Sequence, residues 1–443
     1  MAKAETRSGQ LRESGTSAGK PTSLWRNSDF VKFWIGETIS LYGTQVTNLA
    51  LPLTAVLVLR APPTQVGLLR FLQLVPYLCF ALLFGVWADR VRRRPMLITA
   101  NAIRMVLIGL IPLLYAVHLL SISWLLVLAF AIGTASVLFD VSWMSFVPTV
   151  VKDPKNYLEA NQKLGVTGSS ADVVGPGLAG ALVGALTAPF ALVVDAVSYL
   201  ASLATLVLVR ADEPQPPRSA SRRHVGAELR DGLRWVFGDQ MLRPLVLIAP
   251  FCNFSLIAIW TLFLLYATRD EHLTPALIGI VFSASSVGGL IGGLISRALT
   301  QRFRLGLLYA TSMTAIFAGP LIIPFARGPI PILMSLFVLS FFVTYLGLGV
   351  ANVIMISLRQ TSTPTSLMAR MNAAFRTVLF GGGSLGGLFA GVIAESVGLR
   401  MSLLATAIGS AAMVVPIALS PVSRLRNLPH PVTEVAAAPP DED

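Results

Sequence analysis

The chain has 443 residues, 54% of them hydrophobic and 13% charged, and apolar runs of bilayer-spanning length recur along almost all of it. This pattern excludes a set of soluble domains, and it excludes a membrane barrel, whose strands would alternate in hydropathy over about ten residues. The formal net charge of +12 does not point to nucleic acid, because the basic residues sit in the breaks between apolar runs, where membrane orientation and anionic lipid account for them.

Residues 1–28 are rich in Ser, Gly, Thr and charge and are expected to form a disordered tail. Beyond them, spans are expected at about 33–58, 66–88, 95–117, 123–147, 162–186, 190–209, 244–267, 275–298, 305–326, 330–356, 372–394 and 399–420. The first run is too long for a cleaved signal and ends without a small-residue cleavage site, so it is read as the first span. Twelve spans put both termini on one side. All but six of the 34 Lys and Arg fall on that side, the exceptions being Arg60, Arg70, Arg104, Arg269, Arg327 and Arg400. Positive residues near helix ends stay cytoplasmic, so both termini are expected inside a bacterial-type cytoplasmic membrane. The fold class expected is an all-α membrane protein of two six-helix halves, 29–210 and 244–420. A linker over 211–243 joins them, and a second disordered tail over 421–443 follows.

Within the linker, Val225, Leu229, Leu233, Val236 and Phe237 recur at helical spacing, with Trp235 beside them. A helix lying on the inner membrane surface is expected. The halves also resemble each other. Pro154 through Gly180 matches Pro364 through Gly391 at an offset near 211 residues, and Gly67 and Gly85 are echoed by Gly279 and Gly293. Such a duplication is a layout of secondary transporters, with the substrate site at the midplane between halves.

The most polar short turn, Gly85-Val-Trp-Ala-Asp89-Arg90-Val-Arg92-Arg93-Arg94, follows the second span. Its Gly-x-x-x-Asp-Arg-x-x-Arg-Arg pattern, with twelve spans and a half-chain repeat, resembles the signature loop of the major facilitator superfamily. That resemblance implies a transporter in which Gly85 packs closely against a neighbouring helix while Asp89, Arg90 and Arg93 latch the cytoplasmic gate. Arg92 departs from the pattern, standing where the family usually has glycine. Gly175-Pro176-Gly177-Leu-Ala-Gly180 in the fifth span resembles the proline-glycine motif of exporter branches. Small residues there let helices pack backbone to backbone, and the proline frees a carbonyl. Phe33-Trp-Ile-Gly-Glu-Thr-Ile-Ser40, Ala50-Leu-Pro-Leu53, Asp140, Glu159-Ala-Asn161 and Val194-Asp-Ala-Val-Ser198 are similar to the branch holding the enterobactin exporter and macrolide-type efflux proteins. Thr44 stands where that branch often carries an acid.

Charge inside a span is costly, so each such residue is a functional candidate. Asp172, Glu37 and Asp140 are, in that order, the candidate proton-coupling acids. Arg104 is a counter-ion or a ligand for an anionic substrate, and Arg104, Asp140 and Asp172 lie at similar depth and are expected to meet. The family resemblance offers Asp140 a second role, pairing with the loop arginines. Ser40, Thr44 and Asn48 share a helix face with Glu37 and are expected to line an aqueous cavity. Asp195 and Arg70 are assigned to structural or outer-gate roles, Arg376 to an anchor or latch, and Cys79 and Cys252 to packing. Trp143, Trp260, Phe342 and Tyr345 are candidate substrate contacts.

These features point to proton-coupled efflux of an amphipathic small molecule, a drug or siderophore-like metabolite, by alternating access. The partners expected are that substrate and the bilayer, with no nucleic acid and a monomeric chain. No cofactor or metal is expected, the proton gradient supplying the drive. An importer of a small metabolite and a transport-dead sensor are the alternatives. An enzyme is not expected, because no nucleophile, metal-ligand or nucleotide motif is present.

Overall fold

The computed structural model describes residues 24–88, 90–151, 153–211, 213, 225–364 and 367–429. Asp89 and residues 1–23 and 430–443 of the expected tails therefore lie outside the described residues, whereas the inner ends of both tails are ordered: Leu24–Arg26 and Pro421–Arg424 form 3-10 turns with Leu24 and Val422 buried, which corrects the disorder expected of 24–28 and 421–429. The helices of the first half are α1 (Ser28–Leu53, continued by a π turn over Thr54–Val58), α2 (Pro63–Ala88), α3 (Arg93–Ala116), α4 (Ile122–Val151), α5 (Tyr157–Leu186) and α6 (Ala188–Leu208). A linker helix, α7 (Val225–Gly238), precedes α8 (Leu242–Arg269), α9 (Pro275–Arg302), α10 (Leu305–Ala318), α11 (Ile322–Phe325), α12 (Ile330–Thr361), α13 (Met368–Val397), α14 (Leu399–Ala412) and α15 (Val414–Leu419). With α10–α11 and α14–α15 each forming one crossing, the described residues hold 12 helices long and apolar enough to span a bilayer. Each coincides with one of the expected runs to within a few residues at most ends.

The duplication extends to the backbone of the loops. Left-handed residues occur in pairs one repeat apart: Arg60 with His272 (φ 48° and 49°), His118 with Gly328 (58° and 123°), and Thr187 with Gly398 (74° and 81°). Helix starts repeat as well. The backbone N–H groups of Arg93 and Arg94, which open α3, are both accepted by the Glu213 carboxylate. The equivalent groups of Leu305 and Gly306 in α10 are accepted by the carbonyls of Arg426 and Leu425. In the first half a side chain does what main chain does in the second. Orphan N–H groups at a helix start need such an acceptor, and a carboxylate also complements the helix dipole.

The halves meet along two helix pairs, α2 with α13 and α5 with α9. At the end bearing few basic residues, Gly67 faces Gly391, and Gly180 faces Gly279. A Cβ on Gly180 would come within 2.5 Å of the Pro275 carbonyl oxygen and 3.0 Å of the Gly279 Cα, and one on Gly391 within 2.6 Å of the Pro63 oxygen and 2.9 Å of the Gly67 Cα. The two crossings are therefore copies of one another, and only glycine permits either. Toward the basic end the pairs separate. Gly85, Gly165, Gly168 and Gly293 would each carry a Cβ into open space. The molecule is thus sealed at the sparse end and open at the basic end. This corrects the close packing expected of Gly85, where an added Cβ would meet no other helix within 4 Å.

The linker helix is docked on the second half. Val236 is buried among α8, α10 and α13 residues, Gly232 sits against the Arg370 carbonyl, and Asp231 pairs with Arg370 at 3.6 Å. Of the expected apolar stripe, Phe237 is exposed, while the side chains of Val225 and Leu229 lie outside the described residues.

The repeat yields a stability prediction. Thr187, with φ 74° and ψ 158°, is a β-branched residue in a region that suits only glycine, at a cost of about 1–3 kcal/mol. Thr187→Gly is expected to raise the thermal midpoint of the purified protein, since the relief exceeds the ~0.5–1 kcal/mol that glycine's conformational freedom costs. Gly398→Thr is expected to lower it, and equal midpoints would show that neither backbone is strained. The sealed end yields another. In a background with Cys79 and Cys252 replaced by serine, Gly180→Leu is expected to raise the maleimide reactivity of a cysteine placed at Ser283, because a branched side chain cannot fit the crossing; unchanged labelling would mean the seal does not depend on it.

Candidate functional site

Two polar regions lie inside the bundle, and they are separate. The first is within the N-terminal half, where α1, α3, α4 and α6 pack together. Gly36 and Gly43 bring α1 onto Thr205, Ser198 and Asp195 of α6, leaving no room for a side chain. The polar face of α1 is thereby turned into the half rather than toward the midline. Glu37 is buried and lies in the field of Arg104 and Asp140. Arg104 donates from Nε to Ser136 (3.1 Å) and from Nη1 to Asn101 (3.4 Å), and its guanidinium lies over Phe139 (4.5 Å) and Tyr199 (5.2 Å). Asn101 in turn donates to Ser202 (3.0 Å). The Asp195 carboxylate accepts from Thr47 and from Ser198, a fully buried arrangement in keeping with a structural role.

Asp140 accepts from the Tyr77 hydroxyl at 2.7 Å, and Tyr77 stacks on Phe380 of the other half, with centroids 4.4 Å apart. The acid of α4 thus has a partner other than the loop arginines the family resemblance offered. Through Tyr77 it is linked to the contact between the halves. Arg376 lies over the same Phe380 ring at 5.8 Å. Arg90 begins the described side of the basic turn, its N–H bonded to the Trp87 carbonyl at 3.0 Å. Arg94 anchors the end of α6 by donating to the carbonyls of Leu206 and Val207 (3.0 and 2.8 Å). Asp89 is not among the described residues, so the latch expected of it with Arg90 and Arg93 has no described geometry.

The second polar region is a cavity of about 600 Å³ between the halves, below the glycine seal. Gln45, Asn48, Arg70 and Asp172 line it from the first half, and Trp260, Tyr345 and Asn352 from the second. The fifth span supplies Asp172 because each glycine of its motif seats on a different neighbour. Gly175 fits against Gln45 of α1, the Gly177 N–H donates to Ser283 Oγ of α9 (2.7 Å), and Gly180 makes the seal. Pro176, lacking an N–H, leaves the carbonyl of Asp172 without its helical partner at the cavity wall. The Asp172 carboxylate accepts from Gln45 at 2.7 Å. The expected meeting of Asp172 with Arg104 and Asp140 does not occur, since α5 turns its acid toward the midline while α3 and α4 face α6.

The expected cavity-lining stripe of α1 also divides. Asn48 lines the cavity, whereas Ser40 is buried and Thr44 shares a hydrogen bond with the Tyr199 hydroxyl (3.1 Å). The glycine-mediated approach of α6 rotates them away. Gln45, between the two faces, is the lining residue that spacing alone missed. Arg70 joins the cavity instead of standing only at the gate. Its Nη1 donates to Gln73 (3.1 Å), and its guanidinium lies 4.0 Å from the centroid of Trp260, across the interface.

Within the C-terminal half a larger chamber of about 810 Å³ opens toward the basic end. It is lined by Asn253, Met355, Arg359, Asn372 and Arg376 among others. It shares Leu348 and Asn352 with the central cavity, so the two spaces adjoin at α12. Trp260 and Tyr345 are the two candidate aromatics at the cavity; Cys252 lines the chamber and Cys79 is exposed. Among the described residues no group of His, Cys, Asp and Glu has metal-binding geometry.

Comparison with known proteins agrees with this architecture. The chain is 26% identical over 349 residues to the multidrug efflux pump Tap of Mycolicibacterium fortuitum, covering 75% of this chain and 81% of the relative. It is 24% identical over 357 residues to Tap of Mycobacterium tuberculosis H37Rv (78% and 82%). Among solved structures it resembles a bacterial homologue of the lysosomal transporter Spinster in an inward-facing, unoccupied conformation, with TM-score 0.71, 16% identity and coverage of 91% and 98%. It also resembles the nucleoside transporter NupG, with TM-score 0.72, 12% identity and coverage of 88% and 98%. The family model for transmembrane secretion effectors matches residues 20–438. The chain belongs to that family of major facilitator superfamily transporters.

Proposed function

We propose that the protein exports amphipathic small molecules from the cytoplasm in exchange for protons. The single observation that carries this reading is a midplane cavity that holds Asp172 between the halves and is closed at the sparse end by two symmetry-related glycine crossings. The positive-inside bias makes the basic end cytoplasmic, with both termini on that side of a bacterial inner membrane. The conformation is then inward-facing, the state in which an exporter loads. The apolar lining with a few polar groups suits an amphipathic solute. The relatives named multidrug efflux pumps support export over import.

Two acids differ in their access to this cavity. Asp172 meets both substrate and cavity water, so protonation there competes directly with a bound cationic group. Glu37 sits behind the cavity wall with Arg104 and Asp140, and the Asp140–Tyr77–Phe380 chain ties that group to the contact between halves. Binding at one site and rocking at the other are thus linked through α1, which carries both Glu37 and Gln45. In the opposite state the basic end closes. Asp89, Arg90 and Arg93 then engage the second half as the latch, and Gly85 gains the helix contact it lacks here.

In inverted vesicles with an imposed pH gradient, the protein is expected to accumulate the planar amphipathic dye tetramethylrhodamine, and Asp172→Asn to abolish gradient-driven accumulation. Accumulation that persists after the gradient is collapsed would refute proton coupling. Asp89→Asn is expected to slow transport several-fold while leaving insertion and topology intact, as read by labelling of loop cysteines. A wild-type rate in that variant would reduce the turn to an orientation anchor.

A further inference from the structure

The central cavity contains two opposite charges that do not pair. Arg70 is nine-tenths buried, and its Nε has no hydrogen-bond partner. Asp172 has one described partner, the neutral Gln45. Neither belongs to an ion pair among the described residues, although both line the same 600 Å³ space. A buried guanidinium with an unsatisfied donor is costly to maintain, and a site built around one rejects ligands that cannot complete it.

The surroundings of Arg70 fix how its guanidinium is presented. Its guanidinium is stacked 4.0 Å from the Trp260 centroid, and Trp260 is itself stacked on Phe282 (5.3 Å, 19°). Nη1 is held by Gln73. The plane is therefore set; Nε is covered by protein, and Nη2 is the guanidinium donor left to the cavity. A charged donor so placed favours an anionic oxygen. Asp172 lies deeper toward the basic end. Counting from the sparse ends of α2 and α5 at 1.5 Å per residue, the two groups differ in depth by roughly 10 Å. A ligand that reaches both groups is therefore extended along the cavity. Tyr345 and Leu290 supply flat and apolar wall between them.

Resting on the export reading above, we propose that the cavity is selective for zwitterions with a planar ring system, with a carboxylate-type anion bound by Arg70 and a cationic nitrogen group by Asp172. A purely cationic amphiphile satisfies Asp172 but leaves Arg70 desolvated and unpaired. A zwitterion neutralises both. The ligand's anionic group also takes up the guanidinium that bridges α2 to Trp260 of α8, so the preferred ligand contacts both halves at once.

The test uses tetramethylrhodamine, whose carboxylate makes it zwitterionic, and its methyl ester, which is cationic with the same ring system. Binding to the purified full-length protein in detergent is read by fluorescence anisotropy. The zwitterion is expected to bind at least tenfold more tightly than the ester. Arg70→Gln is expected to bring the ratio of affinities to within twofold of one, and Asp172→Asn to weaken both dyes. Arg70→Lys, which keeps the charge, is expected to retain part of the preference and serves as the control for folding, with size-exclusion profiles for all variants. Equal binding of the two dyes, binding of neither, or equal weakening of both by Arg70→Gln would overturn the assignment. Because the measurement needs neither a gradient nor a direction, intact selectivity with failed vesicle export would remove the export reading alone. Gradient-driven export without selectivity would remove this proposal alone.

Discussion

The architecture depends on how closely two pairs of helices approach at one end. Gly67 with Gly391 and Gly180 with Gly279 bring backbones together with no space for a methyl group. In a bilayer, where apolar lipid gives helices no hydrophobic reason to associate, such contacts gain dispersion and exclude water without any polar group to desolvate. Everything on the functional side follows from where that contact stops. Above Asp172 and Arg70 the halves touch at the glycine crossings, so the two charges sit in the cavity closed by that seal. Because the two crossings are copies, the seal is a symmetric clamp.

The polar groups are sorted into two compartments by the same kind of constraint. Gly36 and Gly43 draw α6 onto α1, which buries Glu37, Ser40 and Thr47 with Arg104 and Asp195. Gly175 draws α5 onto the opposite face of α1, which holds Gln45 against Asp172. One helix therefore carries a sealed, mutually compensating charge cluster on one side and the lining of the cavity on the other. The sealed cluster compensates its charges with hydrogen bonds and aromatic faces, as buried charge requires. The two charges of the cavity have neutral partners only, with no opposite charge paired to either among the described residues, which marks it as the place where a ligand completes the structure.

Much of this was legible in the chain itself. Span positions follow from local hydropathy, and the duplication from residue identities repeated near an offset of 211. The special role of Gly175-Pro176-Gly180 follows from side chains that are absent. Asp172 was legible because an acid within an apolar run must have a reason to be there. Arg70 was placed at the gate because depth alone was known. Its partner Trp260 lies 190 residues away, and no spacing within α2 reveals it. Glu213 was invisible as the acceptor at the start of α3, because the second half does the same task with backbone carbonyls that carry no sequence signature.

By itself, then, the sequence determined the number, order and polarity of the helices, the twofold internal repeat, and the small residues at which helices can touch. Those properties are local: apolar length, charge bias and missing Cβ atoms act within a segment. Only the tertiary structure decided which face of each helix meets the cavity, and hence that Asp172 and Arg70 share a chamber while Glu37, Arg104 and Asp140 share another. The reason is physical. A membrane helix is apolar toward lipid as well as toward its neighbours, so hydropathy gives little sense of inside. The rotation of each helix is set by contacts with partners far away in the chain, as Gly43 against Asp195 and Gly175 against Gln45 set it here.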